Sequence, residues 1–133
     1  MSEKEGSVWR PAAGLPGSPY LFFNMLREGH VKRGIPLVQL ADQLSLRPAK
    51  LYGMEGVKGD IRPGCDADLL ILDMDRSTVL RRDDFPSYSD YNVYEGQVAP
   101  VYIERTMVRG RTVAKDGRLT GNKAGKYIFR SGK

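Results

Sequence analysis

Between Tyr20 and Lys32 the apolar residues Leu21, Phe22, Met25 and Leu26 fall at helical spacing and mark one stripe of a 3.6-residue period. The pattern predicts a helix that ends at Glu28–His30, with Gly29 just past its last turn. A second helix is predicted next, because Pro36 suits a first turn and Ile35, Val38, Ala41 and Leu44 recur at three-residue steps. Arg47 precedes Pro48, and proline steers the residue before it away from helical dihedrals. The second helix should therefore break there, with "PAKLYG" adding a turn or two before Gly53 stops it.

After Gly53 the period shortens. Asp68–Met74 is an almost unbroken apolar run and reads as a strand buried on both faces. Ser77–Leu80 suits a short partner strand, and Val101–Arg109 alternates as a longer one. Arg109-Gly110 and Asp116-Gly117 are hairpin signals, with Thr112–Lys115 as the return strand between them. Arg82–Gly96 scatters aromatic residues among Asp, Ser and Pro and reads as an irregular excursion. Residues 1–19, centred on "PAAGLPGSP", read as a loop. Helices before Met54 and strands after it predict an α+β fold, divided into residues 1–54 and 55–133.

Composition adds limits. A chain of 133 residues, 41% hydrophobic and 28% charged, has a globular balance and makes one ordinary domain or two small lobes. No apolar run approaches the roughly 20 residues that span a bilayer, and the first ten residues lack a signal peptide's apolar centre. A single cysteine permits no internal disulfide and suits a reducing cytoplasm. The net charge of +5 is spread along the chain without a nucleic-acid-binding motif. A solvated basic surface is the preferred reading, so neither a nucleic-acid nor a membrane partner is expected.

Four groups of residues could carry chemistry. His30 lies near a helix end, where a cation is favourable, and a lone histidine does not make a metal site. Cys65 sits in a turn beside acidic residues, the reverse of what activates a thiol. Asp66, Asp68 and Asp73 could gather around a cation, but aspartate also serves turns by bonding nearby backbone N–H groups. Phe85, Tyr88, Tyr91 and Tyr94 could stack bases, though no basic strand presents them, and packing of an irregular loop onto a sheet is the expectation.

The motifs, taken in order, resemble a known family. "LADQLSLRPAKLYGM" is similar to the S-x-N-P-A-K-x-[FY]-G segment that ends the barrel of hydantoinases, dihydropyrimidinases, allantoinases and dihydroorotases, with Leu46-Arg47 in place of the usual pair. "KGDIRPGCDADLLILD" resembles the family's K-G-x-I-x-x-G-x-D-A-D strand. "DYNVYEG" resembles a segment of the hydantoinase and dihydropyrimidinase branch, and "VRGRTVAKDGRL" resembles its late hairpin. The resemblance implies short helices from the end of a TIM barrel in residues 1–54 and antiparallel strands of a partial β-sandwich in residues 55–133.

It also implies an active site that this chain lacks. The family builds a centre of two divalent, zinc-like metals from a His-x-His pair, a modified lysine, two further histidines and an aspartate, and the metals activate water against a cyclic amide. This chain has one histidine, so no catalytic or metal-ligating residue and no cofactor are expected in it. The matching substrate contact is the backbone at Ala13-Gly14, where the family often has Asn-Gly. The expected protein is a C-terminal portion, inactive alone, whose partners are the missing barrel and further copies of itself. The rivals are a metal-free scaffold or adaptor related to dihydropyrimidinase and a basic RNA-binding module. Association is expected to run through Leu21, Phe22, Met25 and Leu26.

Overall fold

The computed structural model describes Trp9, residues 14–85 and residues 87–129. The first helical run opens as a 3-10 turn at Ser18–Tyr20, continues as α1 (Leu21–Asn24) and widens to π geometry over Met25–Val31. Its expected end at Glu28–His30 moves outward. Gly29 is inside the run, where an added Cβ would meet the Leu40 side chain at 3.4 Å. The turn beyond the helix belongs instead to Gly34, at φ +67. The N–H groups of Gly34 and Ile35 bond back to the His30 and Gly29 carbonyls, each at 3.0 Å.

The buried stripe differs from the expected one. Tyr20, Phe23 and Leu26 are buried, Phe22 and Met25 pack partly against them, and Leu21 is 56% exposed. The 3-10 opening, with three residues per turn, brings Tyr20 above Phe23 and turns Leu21 outward.

The second helical run comprises α2 (Leu37–Ala41), a π turn at Asp42–Leu46 and α3 (Arg47–Leu51). The expected break at Arg47 does not occur, since that residue keeps helical dihedrals of φ −64 and ψ −46. Pro48 removes a donor from the ladder, and the π turn just before it widens the helix to admit the ring without stopping it. The inward face also changes. Leu40 and Ala49 are buried, whereas Val38 and Ala41 are exposed, because Ile35 precedes the helix and Pro36 caps it. Gly53, at φ +69, then stops the run as expected. Its N–H bonds to Lys50 O at 3.1 Å and that of Met54 to Ala49 O at 2.7 Å, the paired bonds of a Schellman end.

Six strands follow among the described residues: β1 (Leu69–Asp73), β2 (Thr78–Val79), β3 (Val98–Ala99), β4 (Tyr102–Val108), β5 (Arg111–Lys115) and β6 (Arg118–Leu119). β1, β4, β5 and β6 form an antiparallel sheet in that spatial order, and β2 pairs with β3 in a second, two-stranded one. The α+β class is as expected. Both hairpins close on positive φ at two consecutive residues, Arg109 (50) and Gly110 (74), then Asp116 (48) and Gly117 (73). That is the turn whose twist matches flanking antiparallel strands. β1 is the exception to the sequence reading. It occupies an edge of its sheet, with Leu70 46% and Ile71 38% exposed, so it is not buried on both faces.

The core joins the helical and strand segments. Tyr20, Phe23, Leu26, Leu40, Leu80, Ala99 and Val101 form one buried cluster, with Leu72, Phe85, Tyr94 and Ile103 packed against it. The Tyr20 ring lies 4.9 Å from Phe85 at 70° and 5.7 Å from Tyr94, and Phe23 lies 5.8 Å from Phe85. These edge-on contacts anchor the irregular 82–96 segment to the first helical run rather than to a sheet. Tyr88 points to solvent.

The second helical run is fastened at Gly59. This residue has φ +86, and a Cβ added there would fall 2.6 Å from Ser45 O and 2.7 Å from the Ala49 Cβ. Gly59→Ala is expected to destabilise the fold by about 2–4 kcal/mol, from left-handed strain plus overpacking against backbone. Equilibrium denaturation of the two chains measures this, and a loss below about 0.5 kcal/mol, the range of an ordinary surface change, would contradict it.

Candidate functional site

The Asp66 and Asp68 pair of the sequence motif lies where the loop after Gly53 meets the β4–β5 hairpin. Three hydrogen bonds from backbone N–H groups bring them together. Asp66 N–H donates to Val57 O at 2.8 Å, Gly110 N–H to Ala67 O at 2.9 Å, and Arg109 N–H to the Asp68 carboxylate at 2.8 Å. Two cations then close the cluster. Lys58 Nζ lies 2.9 Å from Asp66 and also binds Asp68, and Arg109 Nη1 lies 2.9 Å from Asp66. Asp66 Oδ2 lacks hydrogen-bond alignment with either cation, so its share is charge pairing.

The charges respond to this enclosure. Partial burial pushes the Asp68 carboxyl upward, but hydrogen bonds from Lys58 and the Arg109 N–H outweigh it and hold the group below the usual carboxylate range. Partial burial likewise pulls Lys58 down, and its attraction to the Asp68 and Asp66 carboxylates leaves it above the ordinary lysine value. Two cations face two carboxylates, so the pair is already satisfied and has no charge left for a metal. The structural reading of Asp66 and Asp68 is the one their contacts support. Asp73 stands apart and accepts a bond from Asp75 N–H at 2.9 Å, a turn contact. Lys58 and Arg109 were not singled out from the sequence, although both sit in the quoted motifs beside turn glycines.

The remaining candidates do not converge. His30 donates through Nδ1 to Ile35 O at 2.8 Å, which fastens the end of the first helical run. Cys65 lines a shallow groove of about 290 Å³ with Asp60, Ile61, Arg62 and Pro63. Its N–H bonds to Arg62 O at 3.1 Å within a tight turn. Gly14 has φ +87, a backbone state that suits glycine. Ala13, its expected partner in a backbone substrate contact, lies outside the described residues.

The residues present do not fit a two-metal centre. Among the described residues no three His, Cys, Asp or Glu side chains lie together as a metal would require. The chain's one histidine is committed to a backbone carbonyl.

Motif order and fold together point to one enzyme family, while among the described residues no cluster of metal-ligating side chains is present. A family model described as the amidohydrolase family matches residues 22–114, and the chain belongs to that family. An allantoinase of Rubrobacter xylanophilus is 36% identical over 121 residues, which covers 91% of this chain and 26% of that protein. An L-hydantoinase of Paenarthrobacter aurescens is 36% identical across 84% of this chain and 24% of its own length. Among solved structures, the L-hydantoinase (dihydropyrimidinase) from Arthrobacter aurescens superposes with a TM-score of 0.77 at 35% identity, covering 85% of this chain and 25% of that one. A D-hydantoinase from Thermus sp. matches 97% of this chain and 29% of its own with a TM-score of 0.87, and at 24% identity that likeness speaks for the fold. The chain thus spans about a quarter of the length of the relatives it matches and is a hydantoinase-like amidohydrolase region. No helix among the described residues is long and apolar enough to cross a membrane.

The charge cluster yields a pH prediction. Asp68 is more acidic in the folded chain than unfolded, so its contribution is present above the unfolded value near 3.9 and lost as pH falls through the lower folded value. Asp68→Asn is expected to cost about 1 kcal/mol near pH 7, a charged hydrogen bond discounted for solvent screening. The gap between the two chains should close as pH falls below about 4. Urea titrations at pH 7 and pH 3 test the sign, and a gap that widened in acid would refute the assignment.

Proposed function

We propose that this chain is the C-terminal portion of a hydantoinase- or dihydropyrimidinase-type cyclic amidohydrolase, which as a whole hydrolyses a cyclic amide C–N bond. Residues 1–54 then supply the loop after the last barrel strand and the closing helices, and residues 55–133 supply part of the flanking β-sandwich. The observation that carries this reading is the ordered set of four motifs, three of them inside the 22–114 match. The relatives' names agree with it.

On this reading the divalent metals of the intact enzyme are held by residues outside this chain. When bound, such metals supply activated water and polarise the amide carbonyl. The part left to this chain is positional. Backbone groups at Ala13-Gly14 meet the cyclic amide, and the 55–133 segment supports the barrel's last helices through the contact at Gly59. A metal-free scaffold or adaptor is the second reading, and the observation in its favour is a core closed between helices and strands within this chain.

The purified chain, incubated with hydantoin and with dihydrouracil, is expected to show no turnover above background and to retain less than about one zinc per chain after dialysis, below what two-metal chemistry requires. Turnover that survives repurification and chelation would overturn the inactivity of the isolated chain.

Association is also expected, although not through the stripe read from the sequence, since Leu26 is buried and Phe22 and Met25 are partly covered. Bare apolar positions among the described residues include Leu21, Val38, Leu51 and Ile61, together with Leu70 and Ile71 on the edge strand β1. Light scattering should report a dimer or larger. A monomer with a sharp, high-temperature melt would remove the homo-oligomer from the proposal and favour the adaptor.

A further inference from the structure

The register of the larger sheet places three basic residues side by side. Arg105 of β4 is paired with Lys115 of β5, and Lys115 with Arg118 of β6. Directly paired residues of an antiparallel sheet share a face, and neighbouring strands lie about 4.8 Å apart, so the three cations form a row roughly 10 Å long. On the other side of Arg105 the row meets Ile71 of β1, which is partly exposed.

Like charges set directly opposite one another work against the sheet. The usual remedy, interleaved carboxylates, is nearly missing. Among the described residues no ion pair reaches Lys115 or Arg118, and Arg105 has only the Glu104 carboxylate at 4.0 Å. Asp116, in the turn between Lys115 and Arg118, is engaged by the Tyr102 hydroxyl at 3.4 Å. Arg105 also keeps its buried Nε without a hydrogen-bond partner. That buried atom is out of reach of an incoming group, but the Arg105 side chain is about a third exposed, so a carboxylate arriving from solvent can pair with the outer part of its guanidinium.

We propose that this face of β4, β5 and β6 binds an acidic polypeptide segment whose carboxylates complete the row of Arg105, Lys115 and Arg118. Carboxylates three or four residues apart on a helix are spaced by about 5–6 Å, close to the step between strands, so an acidic helix laid across the strands can meet all three cations. A nucleic acid fits less well. Recognition of single strands on a sheet relies on open aromatic faces, and the aromatic side chain of these three strands, Tyr102, is covered by the Arg76 guanidinium at 3.7 Å. Tyr102 also lies off the row, paired with Asp73.

The test uses the full chain with a labelled polyglutamate peptide, read by fluorescence anisotropy at low salt. The double variant K115Q/R118Q is compared with K123Q/K126Q, which removes the same charge from the exposed 121–129 segment. The proposal expects about a tenfold loss of affinity in the first variant and less than about twofold in the second. It also expects K115Q/R118Q to melt at the same or a higher temperature, since two opposed cations have been relieved. Equal losses in the two variants would reduce the effect to net charge and overturn the site. A clearly lower melting temperature for K115Q/R118Q would assign the row to the fold instead. Tighter binding of a single-stranded oligonucleotide of equal length would overturn the choice of an acidic polypeptide.

Discussion

The Tyr20 ring is the contact on which the two parts of this chain depend. It is held between Phe85 and Tyr94, and beneath it Phe23 and Leu26 meet Leu80, Ala99 and Val101. The helical runs have few other means of fixing themselves. Each is only a few turns long, with π and 3-10 segments whose hydrogen bonds are less regular than an α-helix provides, and short helices in water rely on packing. The two-stranded β2–β3 sheet is equally weak by itself. Burial of a large aromatic between them is worth about 1.5–3 kcal/mol per side chain, enough to make helix and strand mutually dependent. The irregular 82–96 segment is therefore a structural strap, and its aromatic content has a packing explanation.

A second constraint orders the larger sheet. Asp66 and Asp68 hold the loop and the β4–β5 hairpin together through Lys58 and Arg109, while Gly59, beside Lys58, seats the same loop against Ser45 and Ala49. One short stretch thus touches the second helical run on one side and the hairpin on the other. The ion pairs are partly solvated, so their value lies more in direction than in energy. They fix where β1 begins, and the alternation of every side chain along β1 follows from that.

Turn chemistry was the most legible part of the sequence. Arg109-Gly110 and Asp116-Gly117 announced both hairpins, and Gly53 announced the end of the second helical run, because the backbone requirement is local to two residues. Helical faces were less legible. A strict 3.6 period presumes α geometry throughout, and the 3-10 opening and two π turns rotate the stripes away from Leu21 and Val38 toward Tyr20, Phe23 and Leu40. The run continues through Arg47 for the same reason, since a widened turn admits Pro48. At the candidate site, the structural role of the aspartates could be read from residue type, whereas Lys58 and Arg109 could not, because their convergence across 51 positions depends on the fold.

The strand β1 shows how family membership and physical chemistry bear on each other. Its sequence, four apolar residues ending in Asp73, has the composition of a strand covered on both faces. Among the described residues it pairs with β4 alone and leaves Leu70 and Ile71 partly in water. No Lys or Pro guards the edge, and Asp68 at its start is neutralised by Lys58. A composition that exceeds the burial available is a statement about surroundings, because apolar surface of this kind is stable only when something covers it. The chain spans about a quarter of its relatives' length, and their polypeptides extend well beyond the matched region. His30, bound at its own helix end, and β1, an edge strand with apolar residues partly in water, then read together: the contacts among the described residues account for the fold of this region and leave Leu70 and Ile71 as apolar surface still to be covered.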